Sequence, residues 1–431
     1  MKYAIHLLLL SCLLISACTG SQYSTVSDAN DYQTYFRASN VRSLNHLQTE
    51  LSFWEKKWKQ DTGQFPFLVQ MANAHTALFK QSGKVEHLTE AGICLERAVR
   101  ASNGTITAYL RALAHNYISQ HRFKEALELL KSAESQGDKL NATQKMLFDV
   151  YLELGNKEEA AIYLSKFTQE NSFDYLIRLS KWSDHEGDLD KAIFYMEKAK
   201  AKAEAASDKG LMQWSYTNLA DYYGHAGRIE EAYNHYLMAL AIDPDDAYAK
   251  KGIIWIVFSH ERNAEQALAL LNTLMQHYST PDHYLLKAEI AAYMGDEELR
   301  SKSLGKYWSL LENPHYGDMY NAYSIELLAA ADKQSAAKAI MLSEKEVRQR
   351  ATPQTYDLLA WSYFKSGQLA LASDLMKMYV VDKTSEPLAM LHMAHIYKAS
   401  GEENLVASIK SSLQESTFEL GPLTAEEVES L

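Results

Sequence analysis

Three pairs of residues near the C-terminus recur at one fixed interval. Pro353 and Pro387, Ala360 and Ala394, and Gly367 and Gly401 each lie 34 residues apart, and Pro281 and Pro314 lie 33 apart. Self-similarity at a period of some tens of residues marks a chain built from stacked copies of one small unit. The clearest unit is NLADYYGHAGRIEEAYNHYLMALAIDP, from Asn218 to Pro244. Leu219, Ala220 and Tyr223 sit at helical spacing, then Gly227, then Ala232, Tyr236 and Ala239 at helical spacing again. Small residues let two helix backbones approach, aromatics fill the wedge between them, and a glycine ends the first helix in a left-handed turn. Pro244 closes the unit. All 7 prolines can be placed at a unit or segment boundary, as helices require, since an interior proline costs at least ~3 kcal/mol.

The same constellation returns in Leu113, Ala114, Tyr117, Ala126, Leu130 and Ala133, and in Leu179, Ser180, Gly187, Ala192, Met196 and Ala199. It returns again in Leu359, Ala360, Tyr363, Gly367, Ala372 and Met376, and more loosely in Met393, Ala394, Tyr397 and Gly401. This pattern resembles the tetratricopeptide repeat, most closely at residues 213–246 and 107–140 and well at 353–386. The reading predicts an all-α, α-α superhelical solenoid of about ten helix pairs over residues 40–420. A set of separate helical bundles is the rival, and it leaves the fixed period unexplained. Phe148 falls where a small residue is expected, so its pair must splay or shift. The stretch YAKKGIIWIVF implies a first helix about one turn longer. The chain's overall order also resembles a group of exported bacterial tetratricopeptide proteins. That likeness implies a leading helix and an irregular first pair with a long loop between its helices.

The first residues, MKYAIHLLLLSCLLISACTG, have the layout of a secretory signal. A positive Lys2 precedes a short apolar run, too short to span a bilayer as a helix. Leu14-Ile15-Ser16-Ala17-Cys18 is similar to a bacterial lipobox. That resemblance implies cleavage before Cys18, a diacylglycerol on its sulfur and, with Thr19 rather than Asp next, an outer-membrane lipoprotein facing the periplasm. An ordinary signal cut near Ala17 is the alternative. The expected division is 1–17 signal peptide, 18–39 lipidated end and flexible tether, 40–420 solenoid, and 421–431 C-terminal cap or tail. Of three cysteines, Cys12 leaves with the signal and Cys18 is acylated, so Cys94 has no partner for an intrachain disulfide.

The net charge of −12, with no local run of Lys or Arg, argues against nucleic acid as the partner. In stacked pairs of this type the first helices line a concave groove suited to a protein or peptide partner. The first-helix residues not needed for packing are Arg111, His115, Arg178, Lys181, His185, Trp214, Asn218, Asp221, His225 and Trp361. For each alone, a solvated helix face is the simpler reading. Arg178, Lys181 and Asn218 offer donors to a carboxylate, but the following unit lacks the cations that would complete a carboxylate clamp. His392 and His395 form half a metal site with no carboxylate at matching spacing in the adjacent pair. No metalloprotease, nucleophile-elbow, phosphate-loop or paired-cysteine motif occurs. The expectation is therefore a protein without catalytic activity or cofactor. It is a scaffold anchored to the membrane by its N-terminal lipid, or else a chaperone-like or assembly subunit of an envelope, export or surface-polysaccharide system.

Overall fold

The computed structural model describes residues 24–37, 41–167 and 171–431, and among these it is helical throughout, without a strand. Helices α1 (Ala29–Arg37) and α2 (Val41–Gln60) come first. Ten antiparallel pairs follow. They are α3 (Pro66–Ser82) with α4 (Val85–Ala101), α5 (Thr107–Ser119) with α6 (Phe123–Gln136), α7 (Leu140–Glu153) with α8 (Lys157–Ser165), and α9 (Phe173–His185) with α10 (Leu189–Ala206). Next are α11 (Lys209–His225) with α12 (Ile229–Ile242), α13 (Ala247–Trp255) with α14 (Ala264–Leu274), and α15 (Pro281–Tyr293) with α16 (Glu297–Leu311). The last three are α17 (Asn321–Ala331) with α18 (Lys333–Gln349), α19 (Pro353–Lys365) with α20 (Leu369–Tyr379), and α21 (Pro387–Ala399) with α22 (Glu403–Glu415). Helix α23 (Thr417–Ser430) ends the chain.

The repeated small residues do what their spacing predicts. Ala220, Ala232 and Ala239 are fully buried, as are Ala114, Ala126 and Ala133 three pairs earlier. The aromatic wedge has a polar handle that the sequence pattern does not show. Tyr117 donates its hydroxyl to Glu96 (2.7 Å) and Tyr223 to Glu197 (2.7 Å), each a glutamate on the second helix of the preceding pair. A buried tyrosine oxygen needs such a partner, so each unit is keyed to its neighbour. Turns within pairs use left-handed residues at Gly155, Gly187, Gly227, Gly295, Gly367 and Gly401, and non-glycine substitutes at His121 and Arg262.

Three local expectations change. The first pair has no long inter-helix loop, because only Gly83 and Lys84 separate α3 from α4. Helix α13 is not a turn longer. It runs straight into a π-helical stretch, Ile256–His260, which widens the helix and absorbs the additional length there. Phe148 is fully buried and its neighbours make room, with Phe167 and Trp182 closing around its ring at 6.3 and 6.5 Å.

The array curls until its early loops touch its late ones. Lys124 Nζ donates to the Arg348 carbonyl (2.7 Å), Asn313 Nδ2 to Glu86 (2.8 Å), and Arg350 lies 3.8 Å from Glu153. A Cβ on Gly155 would stand 2.6 Å from the Ala351 carbonyl oxygen, so the two turns meet backbone to backbone.

Both ends depart from the simple solenoid. The segment expected as a tether is docked from its first described residue. Val26 and Ser27 donate backbone N–H groups to Glu261 (2.8 and 2.6 Å), and Tyr32 and Phe36 are buried in the central core with Tyr233, Leu270 and Leu274. This strap lies on α12 and α14, on the convex side. The sequence shows only three aromatics, Tyr32, Tyr35 and Phe36, in a short polar stretch there, too few to establish a period. The C-terminus, expected as an end cap, turns inward. Helix α23 packs against the first helices α11 and α15, the π-helical stretch, and α21 and α22.

Candidate functional site

The concave wall of the fifth to eighth pairs holds a cavity of about 380 Å³. Its aromatic sides are Tyr236, Tyr248, Trp255 and Tyr323, with Leu285 and Leu286 between them. Asp221, Lys251, Asp282 and Glu289 supply the charges. The spacing explains why these residues converge. Asp221, Trp255, Glu289 and Tyr323 are each 34 residues apart, so one register position on four successive first helices is stacked into one wall. Tyr248 bears the same relation to Trp214. The sequence reading singles out Trp214 and Asp221 but does not follow their register onward. That register leads from Trp214 to Tyr248 and Asp282, and from Asp221 to Trp255, Glu289 and Tyr323.

Asp221 accepts hydroxyl protons from Tyr236 (2.6 Å) and Tyr248 (2.5 Å). Burial raises its carboxyl above the usual range, against the pull of those two bonds. Lys251 Nζ donates to Asp282 (2.7 Å), which also accepts from Tyr320 (3.2 Å). Burial works against the Asp282 charge, but Lys251 and His283 outweigh it and hold the carboxyl well below its ordinary value. Glu289 differs from both. Burial pushes it up to about 7, and none of the described hydrogen bonds or ion pairs reaches it.

Gly252 makes room for this arrangement. A Cβ there would fall 2.2 Å from Tyr236 Cζ. Gly252→Ala gains about 1 kcal/mol of helix propensity but must push the ring off Asp221, an overpacking cost of about 1–3 kcal/mol. The contact is so close that the upper end applies. A net lowering of the midpoint in a denaturant titration is expected, with Tyr236 no longer held by Asp221.

The C-terminal strap borders the cavity. The Phe418 carbonyl accepts from Trp255 Nε1 (3.0 Å) and Ser259 Oγ (2.6 Å), and a Cβ on Gly224 would lie 2.7 Å from the Phe418 ring. Gly421, at φ +80°, would bring a Cβ to 2.6 Å from Glu289 Oε1 and 3.0 Å from Trp255 Cη2. His225 Nδ1 pairs with Glu419 at 2.5 Å. Burial opposes the imidazolium, but Glu419, Asp221 and Asp184 outweigh it and raise His225 to about 9.

A second, more polar cavity of about 470 Å³ lies where the array closes on itself, lined by Glu153, Lys181, His185, His225, Arg350 and Glu419 among others. Lys181 is committed there to Glu153 (2.9 Å), and burial lowers the half-buried His185.

The remaining candidates divide. Trp214 is exposed and meets Phe173 edge to face, and His115 is exposed. Asn218 donates to the Trp214 carbonyl on its own helix (2.8 Å). Arg111 bridges to the Asp138 carbonyl (3.2 Å) and Thr143 (3.1 Å) of the next pair. Arg178 is buried and ties Asp149 (2.6 Å), the Lys145 carbonyl and the Asp174 carbonyl together, so it holds pairs rather than offering a donor to a ligand. Trp361 is not a groove residue. It is buried and stacked on His392 at 4.1 Å. Cys18 lies outside the described residues. Cys94 is buried, with its thiol pushed up to about 11 by burial, and such a thiol is unreactive.

His392 also corrects the sequence reading of a histidine pair without carboxylates. Its Nδ1 meets Asp357 at 2.9 Å and its Nε2 meets Glu326 at 3.4 Å. Asp357 lies 35 residues back, one unit earlier, and the reading overlooked it. His395 pairs with Glu427 of α23 (2.8 Å). Among the described residues no group of three such side chains has a metal-holding arrangement.

Residues 215–246 match the tetratricopeptide repeat family. No curated protein matches the chain. Among solved structures the chain is similar to a tetratricopeptide repeat protein from Parabacteroides merdae, at 18% identity over 57% of this chain and 92% of that one, with a TM-score of 0.38. It is also similar to a human IFIT1 dimer with PPP-AAAA, at 13% identity over 77% of each chain and a TM-score of 0.47. A third is YrrB, described as having an unusual peptide-binding site, at 20% identity over 46% of this chain and 95% of that one, with a TM-score of 0.27. Nothing about this chain's ligands follows from likeness at that level.

Proposed function

For a tetratricopeptide-repeat protein of this shape, we propose a membrane-anchored scaffold that holds a segment of a partner protein on the concave wall of its middle pairs. The repeat fold supports a protein-interaction scaffold. The observation that carries the site is the run of aromatics on that wall. Tyr248 is 57% exposed and Tyr323 49% exposed beside a cavity, and Trp214, one period before Tyr248, is exposed as well. Large aromatics left open next to a pocket are the anchors of protein interfaces, because they bury much area at low entropic cost.

The anchor is a lipid on Cys18 after signal cleavage. The docked Ser24 lies six positions after Cys18, a reach of at most about 20 Å. The body would therefore be held close to the bilayer with the convex side of the fifth and sixth pairs nearest to it. A single acyl chain gives only marginal attachment, so stable anchoring needs the several chains of a lipoprotein.

Two measurements test this reading. Photo-cross-linkers at Trp214 and Tyr248 are expected to capture one recurring protein in cells, and cross-linkers at exposed convex positions such as Ile162 are not. Cys18→Ser is expected to move the protein from the detergent phase to the aqueous phase and to change its cleavage. Equal capture from both faces would remove the concave site, and unchanged partitioning would remove the anchor.

A further inference from the structure

Of the carboxylates in the aromatic cavity, Glu289 alone is reached by none of the described hydrogen bonds or ion pairs. Asp282 is neutralised by Lys251, and Asp221 is held by two tyrosine hydroxyls. Around Glu289 the surfaces are aromatic and aliphatic, with Trp255 within reach of the same Gly421 position that meets Glu289 Oε1. A carboxylate in such a place is stabilised by an incoming cation and by little else. The faces of Tyr248, Trp255 and Tyr323 carry the negative quadrupole that attracts an ammonium or guanidinium, and the attraction is stronger out of water. The chain's net charge of −12 adds a long-range field of the same sign.

We propose that this cavity is a receptor for a basic side chain, with an alkylammonium or guanidinium head on Glu289 and its apolar stem between Trp255, Tyr248 and Tyr323. The inference rests on the scaffold reading and names the chemistry of the partner segment, one carrying an accessible Lys or Arg. Alternation of aromatic and acidic residues at one register position (Asp221, Trp255, Glu289, Tyr323) gives the wall both the charge and the stacking surface that such a side chain needs. An acidic segment is disfavoured, because Lys251, the one cation among the described lining residues, is already bound. The volume of about 380 Å³ lies in the range of pockets that enclose small ligands.

The test needs no knowledge of the partner. Nα-acetyl-lysine methylamide and its uncharged analogue Nα-acetyl-norleucine methylamide are titrated at millimolar concentration into the mature chain, and binding is read by saturation-transfer NMR. The lysine probe is expected to bind, and the norleucine probe to bind about tenfold more weakly or less. Glu289→Gln keeps the shape of the side chain and is expected to weaken the lysine probe by a similar factor, with an unchanged near-ultraviolet dichroism spectrum showing that the fold persists. Equal binding of the two probes, equal binding to wild type and Glu289→Gln, or no binding of the lysine probe would each overturn the assignment. Cross-linking from Trp214 and Tyr248 reads partner binding separately. Capture that survives Glu289→Gln leaves the scaffold standing and removes only the basic-side-chain receptor.

Discussion

Replacing His392 by leucine is expected to destabilise the C-terminal pairs by about 3–5 kcal/mol, the cost of removing one partner from a buried charge cluster. The ring is 2% exposed, stacked on Trp361 and placed between Asp357 and Glu326. Burial opposes its charge, but the two carboxylates raise it to about 10, so it is an imidazolium at neutral pH. Without it, Asp357, which burial already pushes upward, faces Glu326 with nothing between them. The pH dependence identifies the mechanism. In wild type the folded-state value lies above the ordinary 6.5, so the contribution is complete below pH 6.5 and fades as pH rises through about 10. In the leucine variant the folded Asp357 carboxyl, without His392 to oppose burial, binds its proton more tightly than the unfolded one. The variant's stability should recover in acid and fall as pH rises out of the carboxylate range. The gap between the two proteins is then small near pH 4, widest near neutrality and narrower again toward pH 10. Denaturant titrations across that span check it. A pH-independent gap would mean that lost packing on Trp361, not charge, sets the cost.

What the sequence conveys and what it conceals follow from the range of the interactions. The period is legible because each pair contacts mainly its neighbours, so Ala220, Ala232 and Gly227 carry the same information as their counterparts at Ala360, Ala372 and Gly367. Interactions one period apart are legible in principle and were missed for want of following the register. Asp357 with His392 and the run Asp221, Trp255, Glu289, Tyr323 are both of this kind. Contacts between distant turns carry no period at all. Glu261 with Ser27, Arg350 with Glu153 and Phe418 with Trp255 join residues more than 150 positions apart. They depend on how far the array curls, and that is the accumulated sum of many small rotations between pairs. Arg178 and Trp361, both on first helices, are buried by the neighbouring pair, Arg178 against Lys145 and Asp149 and Trp361 against His392, so they belong with the interactions one period apart.

The inward strap gives the second large effect. Phe418→Ala removes a half-buried ring from the notch at Gly224, so about half of the usual 3–5 kcal/mol for a buried phenylalanine is expected, roughly 2 kcal/mol. Docking of α23 alone should absorb that loss, because the pairs of the array keep one another as neighbours. Amide hydrogen exchange across residues 417–430 should then speed up by roughly 30-fold while the main unfolding transition barely moves. The substitution leaves the residue-418 carbonyl in place, so Trp255 loses that bond only in the molecules whose strap is released, and its emission should shift to longer wavelength in proportion to that fraction. Where the strap is released, His225 is parted from Glu419, so its titration should fall from about 9 toward its ordinary value to the extent of that release. That shift also sets a pH dependence for the docked strap. The His225–Glu419 contribution is complete below pH 6.5 and is lost as pH rises through about 9. Gly224→Ala fills the same notch from the opposite side and should reproduce all three readouts without touching the strap itself. Because Gly421 lies against Glu289 and Trp255, release of the strap should also widen access to the cavity and raise the affinity for any segment that binds there by the factor through which the strap had competed. If exchange at 417–430 is unchanged in both variants, the ring at Gly224 does not hold the strap, and the concave wall is open or closed for another reason.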